Sequence, residues 1–222
     1  MNNYDVTVII PARNEEKTIA EVIGNVKQSK IVKQIIVVNN ASVDNTAQYA
    51  EEAGAEVVDC KQQGKGNAMK YGIQYAKNDI VVFIDADIKG YSDNLIDVLT
   101  KPLVQDKFDL VKSTFERTQG GIVTEIVVKP LLNLLFPEMY PFSEPISGMI
   151  AARKNILDEL KFEKDYGVDI GILIDVIKKG HRVTEVNIGK IENMSHVSKN
   201  NDIMRKMSTE IIKAILKRVN MG

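Results

Sequence analysis

Through residues 1–90, short β-branched runs alternate with stretches that repeat at a helical period. Val6 to Ile10 is an apolar run that stops at Pro11, which predicts a buried strand. From Glu15 to Gln28, Ile19, Val22, Ile23 and Val26 fall on one helical face. Gln34 to Val38 predicts a second strand, followed by a polar turn at Asn39, Asn40, Ala41 and Ser42. Asp44 is placed to cap a helix running to about Ala53, which Gly54 ends, and Ala55 to Val58 predicts a third, short strand. Gly64-Lys65-Gly66 reads as a loop and Asn67 to Lys77 as a helix. The run Ile80-Val81-Val82-Phe83-Ile84 is a fourth strand that ends at Asp85-Ala86-Asp87. Strands and helices alternating over short connections predict an α/β fold, a mostly parallel sheet flanked by helices on both faces. Right-handed crossovers then put the C-terminal ends of these strands on one edge, where such sheets bind ligands. Pro11 to Glu15, Asn39 to Asp44 and Asp85 to Asp87 all fall on that edge.

The pattern loses its regularity beyond this point. Leu95 to Leu103 predicts a helix, Asp109 to Phe115 a strand, and Ile122 to Phe136 a strongly apolar helix. Pro137 to Pro145 is a loop rich in proline and aromatic residues, and Ile146 to Ala152 a strand. Asp169 to Lys179 predicts a helix closed by Gly180, and Arg182 to Ile188 a last strand. From Asp202, the residues Ile203, Met207, Ile211, Ile215 and Val219 mark an amphipathic C-terminal helix, whose stripe packs on the domain or on a second subunit. With no repeat, low-complexity tract or linker, residues 1–222 read as one domain.

Composition narrows the class of partner. At 44% hydrophobic and 27% charged residues, the chain reads as an ordinary globular protein able to bury a large core. A net charge of -1 gives no electrostatic case for nucleic acid or an anionic membrane. Cys60 is the only cysteine, so no intrachain disulfide forms and a reducing, cytoplasmic setting is expected. No signal peptide is expected, because the N-terminus has no basic flank, apolar stretch or cleavage site. No transmembrane segment is expected either: Thr124, Glu125, Lys129, Pro130 and Asn133 interrupt the longest apolar stretch.

The two carboxylates of Asp85 and Asp87, where a buried strand emerges, suit a divalent cation that holds a diphosphate, although an acidic turn has the same composition. The loop from Pro11 to Glu16 could meet a base through its backbone and a carboxylate, or simply supply acids to a helix N-terminus. Asn39, Asn40 and Ser42 suit a ribose or base and equally suit a turn. Gly64-Lys65-Gly66 lacks the flanking residues of a P-loop, and strand one does not lead into G-x-G-x-x-G. It offers a flexible approach with one cation for a phosphate, or a surface turn. His181 reads as a partly exposed histidine, whereas His196, in a polar loop, is a nitrogen donor that a metal held by two aspartates would accept. Asp169, in Tyr166-Gly167-Val168-Asp169, favours a helix N-terminus or faces the cleft as an acceptor for sugar hydroxyls.

Taken together, VIIPARNEE, IIVVNNASVDNTAQYAEEAGAEVV, GKGNAM and DIVVFIDAD resemble the nucleotide-sugar half of the GT-A glycosyltransferases. In the second half, GGIVTEIVVKPLLNLLFPE, ISGMIAAR, YGVDIGILIDV and the VNIG…H tail are similar to the glucosyl- and mannosyl-3-phosphoglycerate synthases. The resemblance implies a GT-A (nucleotide-diphospho-sugar transferase) fold with a nucleotide-binding half at 1–90, a sugar and acceptor half at 91–198 and a C-terminal helix at 199–222. It implies that Pro11, Ala12, Arg13 and Glu15 hold the uracil, with Asn40, Lys65 and Asp85 completing the nucleotide contacts. Asp87 and His196 match the metal ligands, for Mg²⁺ or Mn²⁺, and count with Asp169 as catalytic residues. Tyr166 and Asp169 match the positions around the donor sugar, where relatives often carry glutamate in place of Asp169. Gly148 matches the acceptor loop, with Lys112 and Ser198 as further acceptor candidates beside Arg153 and Lys199. The chain departs from the pattern in lacking an obvious phosphate-clamping arginine, and in placing Met149 and Ser198 where polar contacts are expected.

What the resemblance implies is a metal-dependent, retaining glycosyltransferase. It would move a hexose, glucose by expectation, from a nucleoside diphosphate sugar, UDP-sugar favoured, to a small anionic acceptor such as 3-phosphoglycerate. A homodimer is compatible with the C-terminal stripe. The alternatives are an inverting polyprenyl-phosphate glycosyltransferase, supported by the apolar 122–136 helix and the basic C-terminal helix, a nucleotidyltransferase, and a nucleotide-binding regulator. Pro11-Ala12-Arg13 stands against the nucleotidyltransferase, which would need a glycine-rich basic loop there.

Overall fold

The computed structural model describes residues 4–90, 92, 94–117, 121–139, 141–193 and 201–219. Its strands are β1 (Val6–Ala12), β2 (Val32–Asn39), β3 (Glu56–Asp59), β4 (Ile80–Phe83), β5 (Ile88–Lys89), β6 (Leu110–Arg117), β7 (Ile150–Arg153) and β8 (Val183–Asn193). They form one sheet in the order β3-β2-β1-β4-β7-β6-β8-β5. β3, β2, β1 and β4 are mutually parallel, as expected from the crossovers, and β6 and β8 are also parallel. β7 runs antiparallel between β4 and β6, with Phe83 opposite Ile150. The approach to β7 therefore arrives at the edge that β4 leaves.

Helices α1 (Ile19–Val26) and α4 (Leu95–Val104) cover one face, and α3 (Lys65–Ile73) and α7 (Val168–Lys178) the other. Alternate strand residues divide between the faces, with Val8 and Ile10 towards α1 and Ile9 towards α3. Each such fully buried aliphatic side chain contributes about 1.5–3 kcal/mol. A third cluster joins α7 to α5 (Lys129–Leu135) and α8 (Asn201–Val219) through Leu132, Ile170, Ile174, Ile211 and Ile215. α7 is thus covered on both sides, which accounts for apolar residues around nearly its whole circumference.

Several boundaries depart from the expected ones. The first helix begins at Ile19 rather than Glu15, because residues 15–18 form a turn in which Thr18 and Ile19 N–H groups donate to the Glu15 carbonyl. The 122–136 helix is two pieces, a π-helix at Val123–Val128 followed by α5. Pro130 has no N–H to close an α-helical bond to Ile126, and the hydrogen-bond register changes there. The strand expected from Ile146 starts only at Ile150, since Ser147 N–H turns back to the Glu144 carbonyl. α2 (Thr46–Glu52) ends as expected, with Gly54 at φ 80°. Two short elements, β5 and α6 (Lys154–Asp158), carried no periodic signal.

α8 is fastened at its C-terminal end by a buried cation. Arg218 is 2% exposed and donates to both oxygens of Asp175 on α7, at 2.7 and 2.6 Å, and to Glu163 at 2.8 Å. Gly171 leaves the room for this guanidinium, since a Cβ there would crowd it.

Candidate active site

Two loops at the C-terminal edge of the sheet are sewn together. Asn14, at φ 57°, donates its N–H to Ser42 Oγ and accepts from Val43 N–H, while Glu15 N–H donates to Thr46 and Glu16 N–H to Asp44. Ala41 takes the same left-handed conformation, at φ 56°. This fixes the loop that follows β1: Pro11 is half-buried, Ala12 buried and Arg13 exposed. The Glu15 carboxyl is raised from 4.5 to about 7, first by burial and then by the charge of Asp87, with Asp44 and Asp85 adding to it. Glu15 and Asp87 thus share one negative field.

The side chain of Asn40 is committed to the protein itself. Its amide donates to the carbonyls of Cys60 and Gln62 at 3.2 and 2.8 Å and accepts from Gly64 N–H at 2.7 Å. With both donors committed and 4% exposure, it shapes the 60–64 loop.

Lys65 is the hub of the site. Its ammonium lies 2.8 Å from Asp85 Oδ1 and 3.0 Å from Asp169 Oδ2. Burial opposes the charge on Lys65, but the carboxylates of Asp169 and Asp85 outweigh it and raise the ammonium above the ordinary lysine range. The expected flexible loop is not there: Lys65 is the first residue of α3, and Gly64 and Gly66 pack against the 163–165 backbone. A Cβ at Gly148 would collide with Lys65 Nζ and with both carboxylate oxygens of Asp85. Gly148 thus closes directly over the Lys65–Asp85 pair.

Asp169, in the first turn of α7, is 5% exposed, and burial raises its carboxyl above the ordinary range despite Lys65. Its Oδ1 is buried with no hydrogen-bond partner. A buried acceptor in that state costs about 1–3 kcal/mol, and a ligand hydroxyl would satisfy it. Tyr166 is half-buried, with Lys206 5.5 Å from its ring centroid. Lys112, the acceptor candidate on β6, is wholly buried. It shares a face of β6 with Leu110, is 0% exposed, and donates to the Ser147 carbonyl at 2.7 Å. Burial pushes its ammonium down to about 8. It braces the segment that carries Gly148 from below. His196 and Ser198 lie outside the described residues.

Sequence reasoning missed Asp165. Its Oδ1 accepts the Lys65 N–H at 3.0 Å from a hundred residues away. The available signal was indirect: Gly64, at the N-cap of α3, has no side chain to cap with, so that helix needs a cap from elsewhere.

Asp85 and Asp169 hold Lys65, and the charges of Asp87 and Asp85 reach Glu15; this acidic edge favours a divalent cation. Among the described residues no group of three or more His, Cys, Asp or Glu is close enough to hold a metal. A cation here would complete its oxygen shell from phosphate and water, as Mg²⁺ does in sites with one or two carboxylates. No helix among the described residues is long and apolar enough to cross a membrane.

Comparison with known proteins agrees with this geometry. The model of glycosyl transferase family 2 matches residues 7–160. Glucosyl-3-phosphoglycerate synthase of Mycobacterium tuberculosis is 34% identical over 239 residues, covering 96% of this chain and 73% of that protein. The Petrotoga mobilis enzyme of the same name is 30% identical over 240 residues, covering 96% and 73%. A crystal structure of the M. tuberculosis enzyme in complex with Mn²⁺, UDP-glucose and phosphoglyceric acid matches with a TM-score of 0.92 at 34% identity, covering 98% of this chain and 80% of that one.

Proposed function

The chain belongs to glycosyl transferase family 2 and is a glycosyltransferase, and from that premise we propose that it transfers glucose from UDP-glucose to 3-phosphoglycerate with retention of configuration. The observation that carries this reading is Lys65 held between Asp85 and Asp169 under Gly148, at the sheet edge where the β1 and β2 loops meet. Pro11, Ala12, Arg13 and Glu15 would receive the uracil, and Asp85 and Lys65 the ribose and diphosphate. The open Oδ1 of Asp169 would accept a hydroxyl of the donor sugar, with Tyr166 beside it. The cofactor is Mg²⁺ or Mn²⁺, held by Asp87 with His196, and the M. tuberculosis relative with Mn²⁺ and UDP-glucose supports this choice. When bound, the cation neutralises charge that develops on the departing diphosphate. In the transfer, the bond from the anomeric carbon to the diphosphate oxygen breaks, and the acceptor oxygen bonds to the same face. The acceptor proton passes to the leaving phosphate. We place the chain in the cytoplasm, as one domain, with the α8 stripe packed on α7 through Ile211 and Ile215.

A second acceptor class has its own support. Ile122, Ile126 and Leu134 are 58%, 70% and 76% exposed, an apolar face suited to a polyprenyl chain. Following UDP release with Mg²⁺ or Mn²⁺ over a panel of donors and acceptors separates the two. Release that depends on 3-phosphoglycerate supports the main reading, and release only with polyprenyl phosphate replaces it. No release with any nucleotide sugar overturns it. Asp87→Ala should abolish turnover and metal dependence while the far-ultraviolet circular dichroism stays native. NMR of the product tests retention, since a β-linked glucoside from the α-donor would exclude it.

A further inference from the structure

Two of the residues that seat Lys65, Asp165 and Asp169, come from a part of the chain that the family match at 7–160 does not reach. α3 begins at Lys65 behind Gly64, and Gly64 has no side chain with which to cap it. The first N–H groups of a helix need acceptors from outside the helix. Here the segment 163–166 supplies them: Asp165 Oδ1 accepts from Lys65 N–H at 3.0 Å, and the Lys164 carbonyl from Asn67 N–H at 2.9 Å. The fit is close enough that a Cβ at Gly64 would collide with the Lys164 carbonyl, and one at Gly66 with the Glu163 carbonyl. Both glycines of the Gly-Lys-Gly motif are thereby explained by the approach of this strap.

The strap is in turn held by α8. Lys206 donates to Asp165 Oδ2 at 2.6 Å, and Glu210 accepts the Tyr166 N–H at 3.1 Å. Lys217 and Arg218 donate to Glu163 at 2.9 and 2.8 Å. Asp165 therefore has one oxygen on the helix that aims Lys65 and the other on the helix that closes the fold. Its negative charge also lies at the N-terminal end of α3, where the helix dipole favours it. We infer that Asp165 is a positioning residue for Lys65, capping α3 across the chain and linking the C-terminal helix to the donor site. This rests on the reading of Lys65 as a donor-site residue.

Asp165→Ala, Asp165→Asn and Lys206→Met test it, with Arg182→Ala as a stability control. Arg182 pairs with Asp109 where β6 and β8 begin, at the opposite end of the strands from the site. The first readout is acylation of the Lys65 amine followed by mass spectrometry, which needs no substrate. Asp165→Ala should speed Lys65 labelling about fivefold, the factor that a helix cap of ordinary strength contributes. Asp165→Asn keeps an oxygen for the Lys65 N–H and should stay within about twofold of the parent, a difference a few tenths of a kcal/mol would produce. Lys206→Met should fall between them. The second readout is turnover: kcat with UDP-glucose should fall about tenfold in Asp165→Ala, as displaced catalytic groups do, with the acceptor KM unchanged and Asn restoring it. Arg182→Ala should alter neither readout.

Unchanged Lys65 labelling in Asp165→Ala, or an equal rise in Arg182→Ala, overturns the inference. So does Asp165→Asn labelling as fast as Asp165→Ala. If the parent protein turns over no nucleotide sugar, the proposed function fails, while the labelling result still decides the role of Asp165.

Discussion

The two halves of the molecule reach order by different means. Up to β4, order follows local periodicity: Val8, Ile10, Val22 and Val37 are buried where a strand or helix repeat puts them. Beyond it, Arg218 is bolted to Asp175, Lys112 is tied beneath Ser147, and a π-helix gives way to α5 at Pro130. The first half adds buried polar ties such as Thr7 to Gln34 to a regular repeat, whereas the second relies on buried cations. Their meeting point is the site, where Gly148 of the second half lies on Lys65 and Asp85 of the first.

The largest effect should come from that joint. Gly148→Ala puts a methyl group into the Lys65–Asp85 pair, and turnover should drop about 100-fold, the scale of an ångström-sized misplacement. UDP-release kinetics beside a native circular dichroism spectrum would check it. Next, Arg218→Ala strands Asp175, leaves Glu163 to Lys217 and removes a guanidinium with 2% exposure. Urea unfolding should show a loss of about 3 kcal/mol, the range for breaking a buried ion pair from one side.

The first half gives a subtler result. Glu15 titrates at about 7 in the folded chain instead of 4.5, so between those values the folded state holds a proton that the unfolded chain has released. Stability therefore falls as pH rises through that window, without metal present. Glu15→Gln should remove this slope, seen as unfolding midpoints that converge with the parent at low pH and exceed it at pH 8. The smallest effect belongs to Arg182→Ala, whose half-exposed partnership with Asp109 should cost under about 1 kcal/mol. Asp109 is held down to about 2 chiefly by its hydrogen bonds to Arg182. What it contributes is present above the usual carboxylate range and fades as pH falls through about 2, so the variant should differ from the parent least in strong acid.

The same contrast explains what was legible in the sequence. Strands β1, β2 and β4 could be read because each is a short apolar run buried on both faces, between helices that repeat at 3.6. Asp85 and Asp87 could be read because a strand ending in carboxylates is a local pattern. The bond from Lys112 to Ser147 could not be read, because a sequence does not say that the Ser147 segment lies across β6. The bonds of Asn40 could not be read either, because its three partners lie between Cys60 and Gly64. Asp165 was missed because it meets Lys65 across a hundred residues, with no spacing to betray it.

The reversed direction of β7 has a consequence for how such a molecule can diversify. Parallel strands deliver only their exits to a working edge, so altering one loop there also alters the entrance to the helix behind it. β7 delivers an entrance instead, so the residues that lead into it reach the cleft from the opposite direction. Those ahead of Ser147 and Gly148 can change while the pairing of Phe83 with Ile150 stays in register. One side of the cleft is thereby free to acquire new tastes while the other keeps its shape.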